Sequence, residues 1–303
     1  VNWNTQIAPE GGKNTLEKNA ILPNLVAKYS LTEKQNLRLA ASKTYTLPQF
    51  KERALFLYED VDEQKYGNPY LYASDNYNLD LKWELFPSAE EVISIGGFGK
   101  YIQNPINEVI TNSSTNDISY VNSGDYGTIY GVEVEGRMIV FNNKSEDSKK
   151  LSAGLNASLM KSHQVLDNDK VLSETNGKIP VNFTNKESEF TGASKYLLNA
   201  DITYANEWNN KENSWVSTLT FTQFSDRIYA LGGNERGDLV DKAFGSLDFI
   251  NKLKLSKKSN AGIIARNLLN PYIERVQAND NGDVTVRSYK RGINISLSYT
   301  YQF

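Results

Sequence analysis

The sequence predicts an all-β fold, an antiparallel transmembrane β-barrel segment, on three observations. The closing stretch, residues 292–303, alternates without a break: Ile293, Ile295, Leu297, Tyr299, Tyr301 and Phe303 share one face, and Gly292, Asn294, Ser296, Ser298, Thr300 and Gln302 the other. A period of two is an extended strand with one apolar and one polar surface, and the aromatic rings gather at its end, where a membrane barrel places an interfacial girdle. Strands of about ten residues are joined alternately by short turns and long loops, the asymmetry of bacterial outer-membrane barrels. Soluble sandwiches also alternate, but their connections do not sort by side in this way.

Composition is the third observation. The 303 residues include 18 tyrosines and 4 tryptophans, the rings that membrane interfaces recruit, at a net charge of −3. Lys+Arg at 33 against Asp+Glu at 36 leaves no basic footprint, so nucleic acid is not an expected partner. Mean hydropathy is −0.52, and no apolar run approaches the roughly 18 residues of a membrane helix. Strand spanning escapes that test because alternation dilutes its signal by half. There is no cysteine, hence no disulfide framework and no thiol chemistry. The opening Val1-Asn2-Trp3-Asn4 lacks the basic and apolar regions of a signal peptide, so the expectation is a mature or C-terminal piece.

Taken in order, residues 1–19 read as a loop remnant and 20–303 as barrel. Gly11-Gly12-Lys13-Asn14-Thr15 has no glycine at the earlier position a phosphate loop needs and no hydroxyl residue directly after the lysine. Leu25, Ala27 and Tyr29 alternate up to a tight turn over 31–35, and Leu37, Leu39 and Ala41 lead away from it. After a long loop, 77–86 carries Tyr77, Leu79, Leu81, Trp83 and Leu85 on one face and pairs through Pro87-Ser88-Ala89-Glu90 with 92–102. Strand 128–141 sets Tyr130, Val132, Val134, Met138 and Val140 against Gly131, Glu133, Glu135 and Arg137, and Leu151–Leu159 alternates behind it. The long connection 163–195 is polar. Leu198, Ala200, Ile202 and Tyr204 form the next apolar face, then Trp215, Leu219 and Phe221, then Leu247, Phe249, Leu253 and Leu255. A Ser256-Lys257-Lys258-Ser259 turn precedes 261–267, and the final strand closes the chain. About eleven strands result, whereas complete single-chain barrels of this kind have an even number. Every short turn falls on the side of the C-terminus, and the partner of the first strand is expected in preceding sequence.

Several stretches together resemble the C-terminal half of TonB-dependent outer-membrane receptors. They are Asn36-Leu37-Arg38-Leu39 running on to Pro48-Gln49-Phe50-Lys51-Glu52; Gly67-Asn68-Pro69 followed by Asn76-Tyr77-Asn78-Leu79; Lys100-Tyr101-Ile102 with Asn104-Pro105-Ile106; Asn122-Ser123-Gly124-Asp125 leading to Tyr130-Gly131-Val132-Glu133; Asn267-Leu268-Leu269-Asn270-Pro271; and the closing Phe303. Order and spacing hold from about residue 20 to the end. Two departures are Leu47, where many members have a basic residue, and the absence of the plug and energy-coupling box, which lie N-terminal in the family. The resemblance implies half of a 22-stranded plugged barrel, placed in the bacterial cell outer membrane. It implies active uptake of a scarce nutrient such as a siderophore, glycan or peptide. The implied partners are outer-membrane lipid and lipopolysaccharide, the N-terminal barrel half with its plug, a TonB-type energy-coupling protein, and the barrel-assembly machinery, which reads Tyr299, Tyr301 and Phe303.

No enzyme constellation is present, and no cofactor or metal is expected. His163 has no partner at ligand spacing, so a solvated loop position is the plainer reading. Arg236-Gly237-Asp238 spells an adhesion-type tripeptide, but three residues in a Gly-rich loop arise by chance. Asn279-Asp280-Asn281-Gly282-Asp283 lacks the trailing glutamate of a calcium loop and reads as a hairpin turn. The charges Asp80, Glu84, Glu133, Glu135, Asp201 and Asp248, with Arg38, Lys82, Lys100 and Arg137, face the expected lumen, since a Lys or Arg on the lipid face costs about 2–4 kcal/mol at the midplane. These charges either pair across strands or meet the plug; the resemblance implies that Glu133 and Glu135 dock it. The loops hold Tyr58, Tyr66, Tyr70, Tyr72, Tyr120, Tyr126, Tyr229 and Tyr272, suited to stacking on a ligand or to ordinary packing. A passive porin-like barrel and a soluble β-rich binding protein are the rival readings.

Overall fold

A computed structural model describes residues 3–6, 13–61, 63–113, 117–143, 147–279 and 281–303. Its framework is one antiparallel meander of eleven strands: β1 Asn24–Thr32, β2 Gln35–Thr46, β3 Ser74–Leu85, β4 Val92–Gln103, β5 Tyr126–Asn143, β6 Ser148–Val165, β7 Tyr196–Trp208, β8 Asn213–Phe224, β9 Phe244–Lys254, β10 Ser259–Arg266 and β11 Asn294–Tyr301. Each strand pairs with its neighbours in sequence, and β1 and β11 end the order without pairing to each other. The sheet is therefore open, as a barrel portion is. Trp3–Gln6 and Lys13–Leu16 form a separate hairpin within the polar opening stretch; Gly11 and Gly12 lie outside the described residues.

The register fixes the two faces. Leu81 opposes Leu39 and Gly97, and Gly97 opposes Val132, which opposes Leu159. This outer face is exposed at Leu25, Leu79, Val132, Leu155, Ile202, Ile263 and Leu297 alike, the arrangement of a lipid-facing wall. The opposite face carries ion pairs: Arg38 Nε lies 2.7 Å from Glu84 Oε2, and Lys82 Nζ 3.4 Å from Glu135 Oε2. Gly96, which lies directly between Lys82 and Glu133 and presents no side chain, lets Lys82 reach diagonally to Glu135. Gly131 on this face is obligatory, because a Cβ there would lie 2.4 Å from the Leu159 carbonyl and 2.7 Å from the Phe98 ring.

Turn chemistry explains the short side. Between β7 and β8, Asn209, Asn210 and Lys211 take left-handed backbone, and Asn209 Nδ2 donates to Asn213 Oδ1 at 3.0 Å; asparagine tolerates that region better than most residues. The long connections, all at the other end, are not structureless. Two four-stranded sheets stand above the wall, one of Leu57–Glu59, Gln64–Tyr66, Ile118–Asn122 and Ile106–Ile110, the other of Arg227–Ala230, Leu239–Asp241, Tyr272–Gln277 and Val284–Lys290. The last two strands are the hairpin expected around Asn279–Asp283, although Asp280 itself is outside the described residues. The main apolar core lies in this cap: Val109, Val121, Leu166, Val171, Ile179, Phe183 and Leu231 bury together. Among the described residues no helix is long and apolar enough to cross a membrane.

Candidate functional site

The cap is tied to the wall by asparagines and glycines of the motifs quoted above. In Gln49-Phe50-Lys51-Glu52 the Glu52 carboxylate accepts the Gln49 N–H at 2.7 Å, capping the one-turn helix Phe50–Arg53. Asn68, which is buried, donates from Nδ2 to the Tyr120 carbonyl at 2.8 Å, and Arg53 Nη2 donates to the Pro69 carbonyl. Asn122 Nδ2 donates to the Asn104 and Tyr72 carbonyls. Asn267 Nδ2 donates to the Gly292 carbonyl at 2.7 Å, where Gly292 is left-handed, and the Gly292 N–H donates to Asn270 Oδ1. Each clamp satisfies backbone groups that a loop leaves open. Deeper still, Asn107 Nδ2 donates to Gln164 Oε1 and Ser123 Oγ at 2.7 Å each, and Thr191 Oγ1 donates to Asn107 Oδ1, so the connections before β5 and after β6 meet on a buried side chain at the top of β6.

The two cap sheets join where Val109 and Leu231 form a parallel bridge: the Ile110 N–H donates to the Leu231 carbonyl and the Leu231 N–H to the Glu108 carbonyl. Beside this seam is a cavity of about 350 Å³ lined by Glu52, Asn107, Glu108, Tyr120, Thr191, Arg227, Tyr229, Asp241 and Arg275. Tyr229 is its centre. The Arg275 guanidinium carbon sits 3.1 Å from the ring centroid and Lys65 Nζ 4.4 Å. The phenol donates to Glu63 at 2.8 Å. Arg275 bridges Glu63 at 3.0 Å and Asp241 at 2.7 Å, and Lys65 meets Glu108 at 3.1 Å. Burial, and then the Glu108 and Glu63 charges, push the Tyr229 phenol well above its ordinary range. Burial likewise raises Tyr120 and Glu52. Burial disfavours the Arg275 charge, but its hydrogen bond to Asp241, the Asp241 charge and the contact with Tyr229 together outweigh this and hold its guanidinium above the ordinary value. A second cavity, about 380 Å³, shares Arg227, Asp241 and Arg275 and adds Lys242, Arg287, Tyr289 and Arg291. The chemistry available is stacking, charge pairing and hydrogen bonding, that of a binding site.

Of the tyrosines singled out in the sequence, Tyr120 and Tyr229 come together here. Tyr66 packs under the main core, and Tyr72 bonds Glu174 Oε1 at 2.9 Å. Tyr58, Tyr70 and Tyr272 are exposed, the last beneath Lys290 Nζ at 4.3 Å. Tyr126 stacks on Tyr101 at 5.7 Å, and Tyr101 meets Tyr77 at 6.2 Å, on the outer face at the loop end of the wall. On the inner face Glu135 is paired with Lys82, whereas Glu133 is exposed and has no ion pair among the described residues. Tyr299 and Tyr301 face outward on β11, and Tyr301 meets Phe303 edge-on at 5.3 Å. His163 lies in β6, with Nδ1 3.9 Å from Glu187. Asp238 of the adhesion-like tripeptide is turned inward, accepting the Gly232 N–H at 2.7 Å, and burial raises its carboxyl. Arg227, Arg275, Glu63, Glu108 and Asp241 went unmarked in the sequence because no local pattern joins them: Glu63 and Arg275 are 212 positions apart.

Residues 2–301 match the family described as TonB dependent receptor-like, beta-barrel. Among solved structures, the ferric yersiniabactin uptake receptor of Yersinia pestis superposes with a TM-score of 0.58 at 14% identity, over 96% of this chain and 38% of that one. The FrpB iron transporter of Neisseria meningitidis gives 0.56 at 14%, over 97% and 40%. A ferric enterobactin receptor of Pseudomonas aeruginosa gives 0.55 at 16%, over 96% and 40%. The chain thus spans about two fifths of the length of these neighbours. No curated protein matches it. The chain is an open eleven-stranded meander, apolar outside and charged within, with long loops folded into a cap at one end, and by the match over residues 2–301 it belongs to the TonB-dependent receptor β-barrel family.

Proposed function

We propose that this chain is the C-terminal part of a receptor in the bacterial outer membrane that actively takes up a scarce nutrient. Residues 20–303 supply eleven strands of a 22-stranded barrel, and residues 1–19 belong to the loop before them. The N-terminal half closes the barrel against β1 and β11 and carries a plug, through which a TonB-type partner of the inner membrane pulls. The observation that carries this reading is the open meander itself: two unpaired edges and a charged inner face with an uncommitted carboxylate, Glu133. An exposed carboxylate on the inner face suits a basic plug residue, since a charge-assisted hydrogen bond holds firmly yet yields under load. Glu135, already shared with Lys82, is the second docking group. The outward Tyr299, Tyr301 and Phe303 series serves the barrel-assembly machinery. The cap cavity around Tyr229 and Arg275, together with the iron and ferric-siderophore receptors among the structural neighbours, favours a siderophore over a glycan or peptide.

The test is growth of a strain carrying the full-length receptor on a panel of ferric siderophores as sole iron source, with and without the energy-coupling partner. Growth that depends on both receptor and partner is expected; uptake indifferent to the partner means a passive pore. In the same strain, E133Q with E135Q is expected to weaken plug retention and uptake. Unchanged retention and uptake would remove the docking role and leave the lumen charges as cross-strand pairs.

A further inference from the structure

The two cap sheets meet twice, and the junctions are unlike. On one side the Val109–Leu231 bridge joins them by backbone hydrogen bonds over the main apolar core. On the other, the end strands Leu57–Glu59 and Val284–Lys290 do not pair among the described residues. Side chains span the gap instead: Asp60 Oδ2 lies 3.0 Å from Arg287 Nη2, and Glu63 lies 3.0 Å from Arg275 and 2.8 Å from the Tyr229 hydroxyl. Leu55, Phe56, Leu57, Tyr58 and Val61 stay exposed, so the tip of this hairpin is held by charge rather than by apolar burial.

The register of the second sheet explains why charge is needed there. Arg227, Asp241, Arg275 and Arg287 are direct partners across its four strands, a row of three guanidiniums and one carboxylate. Asp241 serves Arg227 at 3.4 Å and Arg275 at 2.7 Å. Arg275 and Arg287 stand directly opposite each other, and like charges so placed repel. Asp60 and Glu63, from the connection between β2 and β3, bring countercharge to this hairpin between β10 and β11. The same arginines line the cavities: Arg275 borders both, and Arg287 the second together with Arg291, which is exposed and without an ion pair among the described residues. A guanidinium fork takes a carboxylate in two parallel hydrogen bonds. Here the protein's own carboxylates are in place.

We propose that Asp60 and Glu63 form a self-inhibiting clasp: they hold Arg275 and Arg287, draw the two sheets together, and leave when a nutrient bearing two or more carboxylates takes their place. The clasp rests on the uptake reading above and narrows the nutrient to a polycarboxylate. It is tested on the full-length receptor in detergent, with heat-modifiable gel mobility as the check of folding and citrate as the probe. In wild type, hydrogen exchange at amides of 57–66 should rise with sodium chloride, because salt screens the exposed Asp60–Arg287 pair. Amides of 106–110, at the backbone junction, should stay protected. D60N with E63Q should exchange at 57–66 about tenfold faster at low salt and lose the salt response. It should also bind citrate about tenfold more tightly, since a site held closed by its own carboxylates weakens apparent affinity by the fraction of time it is open. R275Q with R287Q should lose that binding. Citrate affinity in D60N with E63Q that is equal to or weaker than wild type overturns the clasp, as does exchange at 57–66 that ignores both salt and substitution. Citrate binding that survives R275Q with R287Q overturns the site. Uptake indifferent to the energy-coupling partner removes the transport reading alone, because neither exchange nor citrate affinity involves transport.

Discussion

Leu81, midway along β3, and Leu231, in the connection after β8, have the same side chain and opposite surroundings: the first is 49% exposed, the second 1%. The wall and the cap differ throughout in this sense. In the wall, hydrogen bonds close from strand to strand, and an outward side chain need only be apolar because hydrocarbon, not protein, covers it. In the cap, water is the solvent, so apolar residues are covered by their own loops and the most deeply buried amide side chains are paired. Asn68, Asn107 and Gln164 are all below 3% exposed and all hydrogen-bonded. One chain thus folds by two solvent rules, and the seam between them is where the asparagine clamps sit.

Removing cap core should show whether the two regions are separate cooperative units. Phe183, buried among Val109, Val171 and Leu231, is expected to cost about 3–5 kcal/mol on change to alanine. Hydrogen exchange should rise at amides of 106–123 and 166–195 while the strands stay protected and gel mobility stays that of a folded barrel. Strands that lose protection together with the cap would make the two regions a single unit.

The wall is probed by charge. Leu81→Arg places a guanidinium near the membrane midplane and should cost about 2–4 kcal/mol in denaturant unfolding from lipid vesicles. Asn156→Arg, on the inner face opposite Glu135, should cost far less. Equal costs would mean that the outer face is not the lipid face.

The smallest effect concerns pH in the cap. Because burial raises the Asp238 carboxyl above its ordinary value, folding favours the neutral acid. That contribution is fully present below the unfolded-state pKa and is lost as pH rises through the folded one. Exchange at Gly232, whose N–H bonds Asp238, should therefore be slower in mildly acid than in neutral buffer after correction for intrinsic rates. Asp238→Asn should flatten that dependence. A slope that survives the substitution assigns the pH response to another group.

All eleven wall strands and both faces of the wall were legible in the sequence, because a period of two over about ten residues is a local signal that needs no knowledge of partners. Strand ends were less so: β5 and β6 run from Tyr126 to Asn143 and from Ser148 to Val165, beyond the stretches whose alternation is clean, because there the pairing with a neighbour, not the pattern, keeps the chain extended. The loop motifs were visible as a resemblance, but not their work as clamps at the seam. The cap sheets were not visible at all, since strands as short as Leu57–Glu59 and Leu239–Asp241 carry too few residues for a period. Tyr120 and Tyr229 could not be told from Tyr126 by type or by loop position.

The sequence by itself therefore determined which residues face lipid, which face inward and on which side the long loops stand, since alternation and turn chemistry act between near neighbours. Only the tertiary structure decided that Glu63, Lys65, Glu108, Asp241 and Arg275 surround Tyr229, and that Asn107 joins Ser123, Gln164 and Thr191. Those assemblies depend on the register between strands and the packing of loops far apart in the chain, and no local pattern encodes either.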